Sequence, residues 1–516
     1  MSVSFRKAAI MRFRHFVLLV VLIAYLALAT LFAWRTPAWQ APDEPAHYNY
    51  IRFVATTASF PVLQMGDYPH GYLEEIKSRR FPAGLSIDPI RYEFHQPPLY
   101  YALLAPVYGL TQGALLPLRL VSVLLGAGVV LLAYAIARRL APRRGHLALA
   151  TAAFVAFLPQ HLATVSQVGN DVLAELLFAV VLYILIGQVL APAAAGRRSS
   201  AILGILLGLI LITKTTAYIA VALAAGVLIW RWRRLRVGWR PMLLEAALVV
   251  GPLALIALPW YARNLAVYGW PDFLGLIRHD QIVVGQTRTG EFLAQVGWAA
   301  YLRRAIEFTF KSFWGVFGWL GVFMDSRIYF ALALLSGLAA AGAIMRVERQ
   351  TSNVKHHVSH FTFHVSQRRA FLLLLSSVLL TLLTYVWYNT QFVQHQGRYL
   401  FTALIPLAFA FAVGWEAVVA GGVGRYLAAG LGVLAVALAA WGVLSGAGLP
   451  KWPLAITVAF AAGVAVLDFG PALIERGVGR PLPVLHGLLF ALPFAGLPIL
   501  SLYALLRFIV PQLARG

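Results

Sequence analysis

The sequence predicts an all-α integral membrane protein with about 13 transmembrane helices. Its 516 residues are 60% hydrophobic and only 12% charged, whereas about 25% of the residues of a soluble domain are charged. Apolar runs of about 20 residues, each enough to cross ~30 Å of hydrocarbon as a helix, recur along the whole chain. Because helices satisfy their own backbone polar groups in lipid, this composition excludes an ordinary soluble globule, and no separate soluble domain is visible.

The positions of the Lys and Arg residues indicate how the chain is oriented in a membrane. Lys and Arg number 42 against 19 Asp and Glu, but they form short clusters between apolar runs rather than one basic face. We therefore expect a lipid bilayer, and no nucleic acid, as a partner. The basic N-terminus, Arg6 to Arg14, is expected in the cytoplasm. The run from Phe16 to Trp34 is longer than the core of a cleaved secretion signal and is predicted to be a signal anchor.

The apolar runs give the predicted spans, and the positive-inside rule gives their orientation, with clusters such as ARRLAPRR and RWRRLR at cytoplasmic ends. The predicted spans are 16–34, 118–140, 147–167, 171–193, 200–213, 215–231, 242–261, 328–346, 371–388, 399–420, 425–446, 452–468 and 485–510.

Two stretches between the predicted spans have an unusual composition. The stretch FKSFWGVFGWLGVF is too rich in Gly and Trp for a span and suits an interfacial or re-entrant helix. Four histidines near residue 360 suit a solvated cytoplasmic linker better than a metal-binding tract, because no paired acids accompany them.

Three regions are expected along the chain. The first is a catalytic transmembrane module at 1–270, which includes an outer loop at 35–97. The second is an extracytoplasmic or interfacial loop at 271–327, and the third comprises the C-terminal helices at 328–516 with a cytoplasmic linker at 346–370.

The unusual polar stretches all fall on the predicted outer side of the membrane. They are APDEPAHY, EFHQPPLYY, SQVGND, TKTT, RNLAVYG and QHQGRY. They come from parts of the chain hundreds of residues apart, yet the topology brings them to one face. A single extracytoplasmic site at the cell membrane is the economical explanation.

Asp43 and Glu44 lie between two prolines just after the first span, in a chain that has few acids. Pro45 suits the first turn of a helix, so one interpretation is that the two acids stabilise a helix N-terminus. The other is a general base, which requires a carboxylate held at a fixed distance from a bound hydroxyl. His47 follows on the same predicted helix and is a candidate substrate ligand.

Further candidates for substrate binding flank predicted spans. His95 and Gln96 precede a Pro-Pro break at the lipid boundary, and Tyr100 follows it, where an aromatic belt is the structural alternative. Asn170 and Asp171 precede the run DVLAELL, where helix capping is the structural alternative.

Three cations at the outer side suit a lipid phosphate. Lys214 interrupts an apolar hairpin, where a charge is costly unless it faces water, a partner or an anion. Arg263 and Arg398 lie at outer helix ends, and either a phosphate or snorkelling to the interface accounts for them. Their neighbours complete the candidate substrate-binding set: Asn264, Gln396 and Tyr399.

These motifs together resemble the polytopic GT-C glycosyltransferases, the superfamily of protein O-mannosyltransferases and aminoarabinose transferases. The resemblance rests on an acidic pair soon after the first helix, PPLYY, the TK hairpin, RN…YG and a late QGRYLF. It covers most of residues 1 to about 270 and the QGRY element.

The resemblance implies an enzyme that transfers a sugar from a polyprenyl-phosphate donor to an acceptor hydroxyl on a glycan, lipid or protein, usually with inversion. By position, Asp43 is then the base and Glu44 its support, while Lys214, Arg263 or Arg398 neutralises the departing phosphate. Asn-Asp stands where the superfamily usually has paired acids, so a divalent metal is possible but not predicted. No cofactor is expected to be required.

Two other classes remain open on the sequence. A secondary transporter or flippase for a lipid-linked or anionic substrate also buries charges, but it should place them near the membrane midplane rather than at outer helix ends. A membrane scaffold does not require converging motifs. No Walker loop, Rossmann fingerprint or His-Glu-x-x-His motif occurs, so ATP-driven transport and metalloprotease chemistry have no motif support.

Overall fold

A computed structural model of the protein describes residues 3–352, 365–420, 422–478 and 483–514. That part of the chain is almost entirely helical, as the predicted fold class requires. Its two strands, Val316–Phe317 and Val322–Phe323, form a minimal antiparallel hairpin. The histidines of the predicted cytoplasmic linker lie between residues 353 and 364, outside the described residues.

The described residues form twenty α-helices. The first ten are α1 Val3–Arg35, α2 Glu44–Thr57, α3 His70–Ser78, α4 Leu99–Leu110, α5 Leu115–Leu140, α6 Gly145–Phe157, α7 Pro159–Val165, α8 Asp171–Leu190, α9 Arg197–Leu211 and α10 Ile219–Leu235. The others are α11 Trp239–Tyr268, α12 Leu276–Ile282, α13 Thr289–Gly315, α14 Ser326–Ser352, α15 Val365–Gln391, α16 Leu404–Ala420, α17 Gly424–Leu444, α18 Lys451–Val478, α19 Pro483–Ala504 and α20 Val510–Leu513. Short 3-10 segments at Tyr92–His95, Thr215–Ala217 and Gly397–Ala403 lie close to the site described below.

The chain is a multi-pass membrane protein. Among the described residues, 11 helices are long and apolar enough to cross a membrane, or 12 if the bent pair α6 and α7 forms one span. The predicted number of 13 is not confirmed. The difference falls on α9, which has 15 residues and therefore a length of only ~22 Å at 1.5 Å per residue.

The span predicted at 147–167 is broken into α6 and α7, which meet at an angle of 63°. Pro159 is the cause, because it has no N–H with which to continue the helical hydrogen bonds. The carbonyl of Val155, four residues earlier, instead accepts a hydrogen bond from Nδ1 of His161 at 2.7 Å. The break thus turns a histidine into the bundle interior, where it is completely buried.

The loop at 35–97 is folded against the bundle through α2, which packs on α4. Tyr50 and Tyr101 stack face to face with their ring centroids 3.7 Å apart, and both are fully buried. Asn49 donates hydrogen bonds to the carbonyls of Ile87 and Ile90 at 2.7 and 2.8 Å. These contacts fix α2, and with it the position of its N-terminal acids.

The interfacial region has more structure than a loop. The helix α13 covers 27 residues with a break at Gly297, where φ is 74°. It does not qualify as a membrane span among the described residues. The stretch predicted as an interfacial or re-entrant helix ends α13 at Gly315 and continues into the strand hairpin, so that prediction is wrong for its second half.

Candidate active site

Asp43 occupies the N-cap position of α2, but its carboxylate makes no capping hydrogen bond. Its Oδ1 accepts a hydrogen bond from the Tyr92 hydroxyl at 2.9 Å, and its Oδ2 accepts one from Nη2 of Arg398 at 2.6 Å. The backbone of Asp43 has φ 67°, a conformation that costs a non-glycine residue about 1–3 kcal/mol and is concentrated at functional sites. The structure therefore does not support capping as the role of this side chain.

Neighbouring side chains stabilise the negative charge of Asp43. Burial acts to raise the pKa of this carboxyl group, but the positive charges of Arg398 and His47 and the hydrogen bonds from Arg398 and Tyr92 outweigh it. Together they lower the pKa from the ordinary 3.8 to about 2. Asp43 is thus a carboxylate at neutral pH, with its negative charge directed at Arg398.

Glu44 points away from Asp43 and into the protein. Its two oxygens accept hydrogen bonds from Nε and Nη2 of Arg119 at 2.8 and 2.6 Å, and Oε1 also accepts one from the backbone N–H of Val168 at 3.1 Å. The Glu44 side chain is completely buried. Its contacts join α2 to α5 and to the segment before α8, so Glu44 supports the position of Asp43 and does not face the same space.

His47 lies at the centre of the charged groups. Its Nδ1 is 2.8 Å from the Tyr101 hydroxyl. Burial lowers the pKa of His47 below its usual range and Lys214 lowers it further, while the carboxylates of Glu93 and Asp43 oppose this. The prediction of His47 as a substrate ligand is compatible with this position.

Glu93 is a member of this cluster that the sequence did not single out. Burial raises the pKa of Glu93, and the negative charge of Asp43 adds to the effect, against the positive influence of His47 and Lys214. Its Oε2 is buried and has no hydrogen-bond partner within the described residues. The structure thus adds a second acid beside Asp43.

Lys214 joins the second pair of candidate residues. Its Nζ donates to Oδ1 of Asp171 at 2.8 Å and to Oδ1 of Asn170 at 2.9 Å. Asn170 is fully buried and donates in turn to Oε1 of Gln96 and to the Thr213 carbonyl, both at 3.2 Å. Asn170 makes no side-chain capping bond, so its side chain positions Lys214 rather than ending the helix.

Arg398 and Tyr399 come from the segment Gly397–Ala403 and complete the cluster. Nε of Arg398 is buried without a hydrogen-bond partner in the described chain, while Nη2 holds Asp43. Beside Arg398 lies a narrow cavity whose polar lining includes Asp171 and Tyr399. Four stretches of the sequence therefore supply two carboxylate–cation pairs, Asp43–Arg398 and Asp171–Lys214.

Two other predicted substrate ligands serve as supports. The Tyr100 hydroxyl is 2.8 Å from Oγ of Ser122 and accepts a hydrogen bond from the N–H of Gly169 at 3.0 Å. Tyr100 is fully buried. Gln396 donates to Oε1 of Gln394 at 2.5 Å. Tyr100 thus holds the backbone next to Asn170, and Gln396 holds the side chain of Gln394. That either residue also binds substrate stays a prediction.

Arg263 and Asn264 lie apart from the two ion pairs. Nη2 of Arg263 donates to the carbonyls of Phe60 and Pro61 at 3.1 and 2.6 Å, and its guanidinium lies over the Trp260 ring. Asn264 is buried and donates to the Phe273 carbonyl at 3.0 Å. The expectation that Arg263 binds phosphate is not supported by these contacts, because its donors hold the loop after α2.

His95 is buried against a second histidine. Its Nδ1 is 3.0 Å from the Tyr92 carbonyl, and its ring centroid lies 4.4 Å from that of His279. Burial lowers the pKa of His95 to about 4 and that of His279 to about 3. Both rings are therefore neutral at physiological pH and pack α12 onto the 3-10 segment that carries His95.

Two acids of the cluster, Asp43 and Asp171, are each paired with a cation. In the described chain, no group of three His, Asp or Glu side chains has an arrangement that fits a metal ion. Arg119, which was missed in the sequence, has a recognisable signal: it is a charge within an apolar span, at the end opposite the basic cluster of Arg138 and Arg139. Glu93 had no such signal, because it is one of seven acids in its loop.

Comparison with solved structures confirms the expected fold class. The chain superimposes on ArnT from Cupriavidus metallidurans in the apo state with a TM-score of 0.51 and 15% identity, over 96% of this chain and 78% of that chain. The complex of ArnT from the same organism with undecaprenyl phosphate gives a TM-score of 0.48 and 16% identity, over 94% and 77%. At such identities the likeness shows the fold alone, an all-α polytopic membrane fold like that of ArnT.

A third structure is more distant. The archaeal oligosaccharyltransferase AglB from Archaeoglobus fulgidus, in complex with an inhibitory peptide and a dolichol-phosphate, gives a TM-score of 0.47 and 13% identity, over 87% of this chain and 56% of that chain.

No curated protein matches the sequence. Residues 95–408, more than half of the chain, match the family described as "Predicted membrane protein (DUF2142)". The protein therefore belongs to the DUF2142 family.

Proposed function

We propose that the protein is a membrane glycosyltransferase. It transfers a sugar from a polyprenyl-phosphate donor to a hydroxyl group of a glycan, lipid or protein acceptor, on the extracytoplasmic face of the cell membrane and with inversion. One observation carries this proposal: the pairs Asp43–Arg398 and Asp171–Lys214 lie together next to a cavity. A base and two phosphate-binding cations are what such a transfer requires.

In the proposed reaction, the acceptor hydroxyl oxygen attacks the anomeric carbon of the sugar. The bond between that carbon and the phosphate oxygen breaks, and its electron pair stays on the phosphate. The hydroxyl proton goes to the Asp43 carboxylate. Lys214 and Arg398 stabilise the additional negative charge on the phosphate, an effect that is larger in a site from which water is excluded.

Arg398 links donor binding to the strength of the base. While Asp43 is paired with Arg398 its pKa is about 2, so it is a weak base. A phosphate that takes over the Arg398 guanidinium removes the main charge that lowers this pKa. The unpartnered Nε of Arg398 gives the phosphate a first donor. Asp43 therefore becomes a better base when the donor is bound.

An apolar groove beside the segment Gly397–Ala403 suits the polyprenyl chain of the donor. It is lined by side chains from α13, α15, α16 and this segment, among them Phe310, Phe313, Tyr385, Leu400, Leu407 and Phe411. Leu400 lies two residues after Arg398. A lipid tail in the groove places its phosphate near that arginine.

We propose transfer without a metal ion, because a lipid monophosphate needs the neutralisation of few charges and two cations are at hand. Asn170 supports this division of roles, since it holds Lys214 at 2.9 Å where the superfamily usually has an acid.

The test is sugar transfer by purified protein in proteoliposomes from a panel of polyprenyl-phosphate sugars, with product masses as readout. We expect Asp43→Asn to reduce turnover about 100-fold or more, the usual contribution of a general base. Asp88→Asn, a surface acid of the same loop, is the matched control and should keep wild-type turnover. Full activity of Asp43→Asn contradicts the assigned base, and no turnover of any donor by the wild type contradicts the enzyme class.

A further inference from the structure

A further pair of ionisable residues, His161 and Glu175, lies in the bundle interior, next to the cavity beside Arg398. Nε2 of His161 is 3.1 Å from Oε2 of Glu175. The His161 side chain is fully buried, and the Glu175 side chain is 8% exposed. The proposed transfer leaves this pair without a role. Because ionisable groups inside a membrane bundle are costly, they are candidates for function.

The hydrogen bonds define where the protons of this pair lie. The Val155 carbonyl is only an acceptor, so Nδ1 of His161 must carry the proton of their 2.7 Å hydrogen bond. Nε2 and Oε2 would repel each other without a proton between them, so one proton lies in that contact. The pair is then either an imidazolium with a carboxylate or an imidazole with a carboxylic acid, and it is neutral as a whole in both forms.

In both forms, the other oxygen of Glu175 carries no proton. Oε1 is therefore a hydrogen-bond acceptor, and it is buried without a partner in the described residues. Glu175 lines the narrow cavity together with Asp171, one helical turn earlier, and with Arg398 and Tyr399. A buried acceptor without a partner costs about 1–3 kcal/mol, which a bound donor group can recover.

The chemistry of the cavity selects the group that binds there. An acceptor oxygen repels phosphate oxygens, so the phosphate belongs at Arg398 and Lys214. A hydroxyl group can donate to Oε1, and the hydroxyls of Thr164, Thr216 and Thr402 give the same cavity further polar lining. We infer that Glu175, fixed by His161, recognises a hydroxyl group of the sugar while the phosphate of the donor binds the neighbouring cations.

This inference rests on the proposed function and identifies part of its specificity. A sugar bound beside Glu175 must present a hydroxyl to Oε1, and an anionic group at that position is rejected. Glu175 takes no part in the proposed proton transfer, because the one proton that its carboxyl group shares lies in the contact with His161.

Three variants separate recognition from a structural or an ionising role. In Glu175→Gln the amide N–H donates to Nε2 of His161 and the amide oxygen remains as acceptor, so kcat/KM should fall less than it does in Glu175→Met. Glu175→Met keeps the size but loses the acceptor, and kcat/KM should fall about 10-fold or more. Glu175→Ala, which only removes atoms, is a second variant if the methionine variant does not fold.

The deciding readout is the response to singly deoxygenated versions of the polyprenyl-phosphate sugar that the wild type uses best. At one position, removal of the hydroxyl should reduce kcat/KM about 10-fold in the wild type and in Glu175→Gln but not in Glu175→Met. If every deoxygenated donor affects Glu175→Met and wild type equally, Glu175 does not contact the sugar, although the enzyme class stands. If the wild type uses no polyprenyl-phosphate sugar at all, the proposed function fails, and this inference fails with it.

Discussion

Arg398 and Arg263 were equivalent candidates in the sequence, and their contacts now separate them. Arg398 holds a carboxylate and has a free Nε in the described structure, whereas Arg263 is committed to the carbonyls of Phe60 and Pro61. Charge-assisted hydrogen bonds contribute about 1.5–3 kcal/mol. We therefore expect Arg398→Gln to weaken the binding of a C15 prenyl phosphate at least 10-fold, and Arg263→Gln to change it less than threefold. Titration of purified protein in detergent measures this, and equal losses would argue against Arg398 as the phosphate ligand.

Arg119 is the residue on which the position of Glu44 depends. Arg119→Met leaves a buried carboxylate without its partner and should cost about 3–5 kcal/mol of stability. Arg52→Met removes a pair with Asp88 that is substantially exposed and should cost less than about 1 kcal/mol. Thermal unfolding in detergent compares the two variants. Similar melting temperatures for both would show that the Glu44–Arg119 pair does not hold α2 in place.

At the residue scale, the sequence was informative where a polar residue stood out from an apolar background. Asp43, Lys214 and Arg398 were found in this way, and the structure brings them into one cluster. The sequence did not predict which side chains these residues contact. No spacing rule connects Asp43 to Arg398, 355 positions away, and none assigns Glu44 to Arg119 rather than to substrate. Those pairings depend on tertiary packing, which local pattern does not contain.

At the scale of elements, helices were predictable and interruptions were not. Long apolar runs determine spans by length alone, but the 63° bend at Pro159 and the hairpin at Val316–Phe323 depend on how backbone groups find partners in the folded bundle. The bend matters most, because the carbonyl that Pro159 leaves free is what orients His161. A proline inside an apolar run was therefore a functional signal as well as a break.

The direction of the helices is a prediction that the chain is well suited to test, because it contains no cysteine. Ala83 and Ala194 are exposed on loops at residues 79–91 and 191–196, which the positive-inside rule assigns to opposite sides. In intact cells, a membrane-impermeant maleimide should label Ala83→Cys but label Ala194→Cys only after permeabilisation. The reverse pattern would place the candidate site in the cytoplasm.

At the scale of the whole molecule, the loop at 35–97 and three segments further along the chain, around residues 170, 214 and 398, contribute to one polar site. The transporter alternative differs in what happens to the donor: a transporter or flippase moves it intact, whereas a transferase cleaves it. The two ion pairs Asp43–Arg398 and Asp171–Lys214 favour cleavage, since their charged groups lie together at the ends of helical segments.

The most direct measurement of the central claim is therefore the fate of a doubly labelled polyprenyl-phosphate sugar in proteoliposomes that contain the purified protein and an acceptor. We expect the sugar label to move to the acceptor while the lipid label appears as polyprenyl monophosphate, and Asp43→Asn to slow both changes about 100-fold or more. Appearance of intact donor in the opposite leaflet, with neither label separated from the other, would contradict it.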